Sequence, residues 1–107
     1  MPEYNDSIPS DLRRRADYVR GTFVGFYKTT PKEKAKTEIW AIDTLDGVHT
    51  LGWIKWFGRW RKYSFFPKGE TVFEPTCLRE IAVFCQAATE IHRLKKKREK
   101  EEALAQY

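Results

Sequence analysis

The chain has 107 residues, enough for one domain and too few for two. A hydrophobic fraction of 41% excludes wholesale disorder, and a net charge of +5 favours anionic partners without naming one. No apolar stretch approaches the roughly 18 residues that a membrane span needs, so no membrane association is expected.

Residues 1–17 are expected to form a loose arm, interrupted by Pro2 and Pro9. Within it Ser10 or Asp11 can cap a short helical turn. The first residues alternate charged with small polar side chains, which does not fit a secretory leader. From Tyr18 to Thr29 the strand formers Val19, Phe23, Val24, Phe26 and Tyr27 take over, and Gly21 and Gly25 among them predict a bulge or a strong curve. The segment 30–36 is polar, highly charged and opened by Pro31, so it reads as a loop.

Residues 37–45 alternate: Ile39 and Ala41 share one face, Trp40 and Ile42 the other. Asp46-Gly47 then signals a hairpin with a type I′ turn, which needs positive φ at both central residues. Residues 48–57 form the return strand, Gly58 lies in the next turn, and 59–66 come back again. Pro75 marks a helix start, with Glu74 or Thr76 as the cap. Leu78, Ile81, Phe84, Cys85, Ala88, Ile91 and Leu94 recur at steps of three and four, which predicts an amphipathic helix. The expected fold is therefore α+β. An antiparallel meander of about four strands packs on one long C-terminal helix, with the domain at 18–94 and a charged helical or frayed tail at 95–107.

The segment 51–67 concentrates aromatic and basic side chains, and no acidic residue occurs between Gly47 and Gly69. Trp53, Lys55 and Phe57 share one strand face, while Ile54 and Trp56 share the other. On the following strand Arg59, Arg61, Tyr63 and Phe65 alternate with Trp60, Lys62, Ser64 and Phe66. Rings interleaved with cations suit single-stranded DNA or RNA, where bases stack and Lys or Arg follow the phosphates. The candidate nucleic-acid-binding residues are Trp53, Lys55, Trp56, Arg59, Trp60, Arg61, Lys62 and Tyr63. Two other readings stay open. The same rings can be core and cross-strand pairs. They can also be hot spots for a partner protein, or for self-association into a homo-oligomer.

No nucleophile–base pair or cofactor motif occurs, so the expectation is a non-enzymatic protein without a cofactor. His49, His92, Cys77 and Cys85 match no metal-ligand spacing. The two cysteines stand eight residues apart in one helix, roughly 12 Å at 1.5 Å per residue, which is too far to bridge. Reduced thiols fit a cytoplasmic protein. Cys77 lies near the helix N-terminus, where a lowered pKa would make it reactive; an inert small side chain is the plainer reading.

The run Ile54-Lys-Trp-Phe-Gly-Arg-Trp-Arg-Lys-Tyr-Ser-Phe-Phe-Pro67, with Thr71-Val-Phe73 and Cys77-Leu-Arg-Glu-Ile-Ala-Val-Phe84 after it, resembles small uncharacterised proteins of bacteriophages and prophages. The resemblance spans roughly residues 50–90. That family has no assigned activity and so transfers no site residue. It implies a phage or mobile-element origin and the cytoplasm of a bacterial host, with nucleic-acid handling or inhibition of a host protein as the roles to test.

Overall fold

The computed structural model describes residues 18–29 and 36–105. The arm 1–17 with its short helical turn, and most of the polar loop, lie outside the described residues. The alternating segments form a five-stranded antiparallel sheet in sequential order: β1 (Tyr18–Arg20), β2 (Val24–Lys28), β3 (Ile39–Thr44), β4 (Thr50–Phe57) and β5 (Lys62–Pro67). One helix follows, α1 (Pro75–Ala105). The α+β meander is thus as expected, with one strand more.

The extra strand arises because the first strand segment doubles back. The Gly21 N–H donates to the Val24 carbonyl at 2.8 Å and closes a tight turn, so Arg20 pairs with Gly25. Glycine is required at 21 because a Cβ there would run into the Glu80 carboxylate and the Val24 carbonyl. That carboxylate is itself the clamp on the turn. Its Oε2 accepts the Thr22 N–H at 2.6 Å, and its Oε1 accepts those of Phe23 and Val24 at 3.0 and 3.1 Å.

The hairpin at Asp46-Gly47 is present, but its loop is longer than the two-residue form. Thr44 accepts the Gly47 N–H through its carbonyl, and only Gly47 has positive φ, at 77°. The Asp46 carboxylate accepts from the Thr44 hydroxyl and the Val48 N–H at 2.6 and 3.0 Å, which stabilises the wider loop. The second hairpin also differs from expectation. Residues 58–61 are turn, with Arg61 at φ 53°, so β5 begins at Lys62 and not at Arg59.

Register sorts the side chains. Phe26 pairs with Ile42, Trp40 with Ile54, Ile54 with Phe65 and Trp56 with Tyr63, so these rows build one inner face. Val24, Phe26, Ile42, Ile54 and Tyr63 are buried there against Ile81 of α1. Phe26 stacks on Phe84 with centroids 4.2 Å apart, and Trp40 meets the same ring edge-on at 5.0 Å.

Glu74 caps α1 by accepting the Cys77 N–H, with Pro75 in the first helical position. The helix runs 31 residues without a break. Its buried stripe is rotated from the one that the apolar spacing suggests. Ile81, Phe84, Cys85 and Ala88 face the sheet, but Leu78, Ile91 and Leu94 are exposed. Polar Thr89 and the imidazole of His92 take the remaining inward positions, because the helix packs chiefly along β5. The Thr89 hydroxyl accepts the Tyr63 N–H at 3.0 Å and donates to the Cys85 carbonyl at 2.8 Å, satisfying a buried strand donor.

Candidate nucleic-acid interface

The sheet face away from α1 carries Ile39, Ala41, Trp53, Lys55, Phe57, Lys62, Ser64 and Phe66. Trp53 stands opposite Phe66, Lys55 opposite Ser64 and Phe57 opposite Lys62, so rings and cations alternate along and across β4 and β5. The Lys55 ammonium lies 4.5 Å from the centre of the Phe66 ring, an attraction between a cation and a ring face. Phe57 meets Phe66 and Trp60 edge-on, at 6.2 and 4.7 Å. A continuous row of rings therefore runs from the sheet out to the β4–β5 turn. At the tip Arg59, Trp60 and Arg61 are exposed, with Trp60 63% accessible.

Six of the eight sequence-predicted site residues come together in this way: Trp53, Lys55, Arg59, Trp60, Arg61 and Lys62. Trp56 and Tyr63 do not join them. Both point under α1, where Trp56 packs against Tyr63 and His92 at 5.4 and 4.5 Å. Tyr63 is only 5% exposed, and its hydroxyl accepts the Glu38 N–H at 3.0 Å. Phe57 and Phe66 belong to the surface row and were missed as site residues. Only the pairing of Trp53 with Phe66 reveals which faces of the two strands join.

Among the described residues an acidic group, Asp43, also lies on this side of the sheet. Asp43 pairs with Gly25 and Thr50, is 6% exposed, and leaves its Oδ1 without a hydrogen-bond partner. Burial pushes its pKa above the ordinary 3.8, while the Thr50 and Tyr27 hydroxyls oppose that shift by hydrogen bonding to the carboxylate. A folded-state pKa above the unfolded one means that the folded state holds the proton more tightly. Stability then falls as pH rises from below the unfolded pKa through the raised folded one. Asp43→Asn cannot ionise, so thermal melts are expected to show the variant gaining on the native chain as pH rises through and above the ordinary carboxylate range. A constant difference across that range would show that Asp43 does not titrate with folding.

The cysteines are free thiols. Burial pushes Cys85 up to about 11. Cys77 is raised as well, by burial first and then by Glu80 and Glu74, so the activated-thiol reading does not hold. Among the described residues no three His, Cys, Asp or Glu side chains gather to hold a metal, and no helix is long and apolar enough to cross a membrane.

No family model matches the chain, and no solved structure matches it. A partial likeness exists to an uncharacterised 9.3 kDa protein of Acholeplasma phage L2, 44% identical over 39 residues. The matched stretch is 36% of this chain and half the length of that protein. In that stretch the chain is similar to a small phage-encoded protein.

Proposed function

We propose that this chain is a phage-encoded, non-enzymatic module that binds single-stranded DNA or RNA in the cytoplasm of a bacterial host. The reading rests on one observation: the open face and tip of β4–β5 interleave Trp53, Phe57, Trp60 and Phe66 with Lys55, Arg59, Arg61 and Lys62, with no acidic side chain between Gly47 and Gly69. Bases stack on rings for roughly 1–3 kcal/mol each, and a rigid hairpin holds the rings in place beforehand. The four cations follow the phosphates.

Titration with short oligonucleotides, followed by Trp fluorescence at several salt concentrations, tests this. Quenching is expected at low salt, with a slope of log affinity on log salt near about −3 if all four cations meet phosphates. Trp60→Ala is expected to weaken binding about tenfold. Absence of quenching, or affinity indifferent to salt, would sink the proposal.

A second reading has its own support. Val83, Ile91, Leu94 and Leu104 are each more than half exposed along α1, which suits association with a host or phage protein or with another copy. A dimer by light scattering that α1 variants dissolve, together with unquenched Trp fluorescence, would favour it.

A further inference from the structure

Because α1 lies along β5, the described residues leave part of the inner sheet face over β1 and β2 uncovered. A groove of about 460 Å³ results, walled by Val19, Lys28 and Trp40 on one side and Phe84, Ala88 and Ile91 on the other. Its size falls in the range of small-molecule sites, roughly 300–1,000 Å³. Its floor is apolar and aromatic, and its mouth is basic. Lys36, His92 and Lys95 reach it directly, and the adjoining recess adds Lys96 and one carboxylate, Glu99.

The charges around the groove are unevenly used. Glu38 is occupied: its carboxylate accepts from the Trp40 indole N–H at 3.0 Å and pairs with Lys28 at 3.6 Å. Lys36, Lys95 and Lys96 form no ion pair with described residues. Among the described residues the groove therefore offers lysine ammonium groups without ion pairs at one end and flat apolar walls at the other. An aliphatic acid would use the lysines but leave the polar Thr37 side of the wall unmatched. A nucleobase presents both a flat face and a donor–acceptor edge.

We propose that this groove binds a mononucleotide, with its base toward Trp40 and Phe84 and its phosphate toward Lys36 and Lys95. The site lies on the opposite side of the sheet from the β4–β5 surface and stands or falls independently of it.

Calorimetry with adenosine monophosphate, adenosine and inorganic phosphate, alongside amide chemical shifts, tests the assignment. The nucleotide is expected to bind at least about tenfold tighter than either fragment, since it alone engages both ends of the groove. Shifts should cluster at Val19, Thr37, Ile91 and Lys95. Lys95→Glu should weaken binding about tenfold through the lost and reversed charge. Ala87→Trp, at an exposed position on the groove wall, should abolish it while the circular dichroism of the fold is kept. Trp60→Ala should leave nucleotide binding unchanged, separating this site from the hairpin. The proposal is overturned by a native chain that binds no nucleotide, by inorganic phosphate binding as tightly, or by native-like affinity in both groove variants.

Discussion

Ile54→Ala is expected to cost about 3 kcal/mol and to lower the melting temperature by ~15 °C. Ile54 is fully buried at the centre of β4, paired with Trp40 on one side and Phe65 on the other. The side chain is enclosed by rings that belong to a sheet and cannot collapse inward without breaking register, so the lost methyl groups leave a cavity. Chemical denaturation should show a reduced midpoint with an unchanged slope. A loss below about 1 kcal/mol would mean that the inner face repacks, and that the core is less well specified than its geometry indicates.

Glu80→Ala is expected to cost about 2 kcal/mol by a different route. Its carboxylate gathers three successive N–H groups, those of Thr22, Phe23 and Val24, and so joins α1 to the β1–β2 turn. Hydrogen bonds to a charged acceptor are stronger than neutral ones, but Thr22 and Phe23 are exposed and water replaces part of what is lost. The damage should therefore be local as well as global. Amide hydrogen exchange at residues 22–24 should accelerate more than at β3 or β4, whose ladders do not depend on this contact. Uniform acceleration across the sheet would instead identify Glu80 as part of the global folding unit.

Much of this architecture is legible from period and punctuation. The alternation in 37–45 and 48–57 separates Ile42 from Ile39 and Ala41, and Ile54 from Trp53 and Lys55, as found, but it does not say which face lies under the helix. The Pro75 helix start and its Glu74 cap also follow from local chemistry. What is not legible depends on contacts distant in sequence. Gly21 reads as a bulge until Glu80, 59 residues later, is seen to occupy the space above it. Leu78, Ile91 and Leu94 read as buried because spacing alone does not give the rotation of a helix on a sheet. Thr89 faces inward for the sake of a strand donor that no apolar pattern encodes. The candidate interface divides in the same way. Its aromatic and basic content is plain from composition, but the loss of Trp56 and Tyr63 to the core and the gain of Phe57 and Phe66 require the β4–β5 register.

The hydroxyl of Thr89 has a consequence beyond the bond it makes to Tyr63. An open sheet ends in two rims, and each can recruit strands from other molecules and grow into an aggregate. Among the described residues one rim is β1, three residues long and too short to template much. The other is β5, whose Lys-Tyr-Ser-Phe-Phe sequence is rich in the residues that favour intermolecular pairing. By taking the Tyr63 N–H, α1 occupies one of the backbone donors on that second rim. The helix thereby acts as a gatekeeper at that point of the rim, since a strand added there would have to displace Thr89 from the Tyr63 N–H.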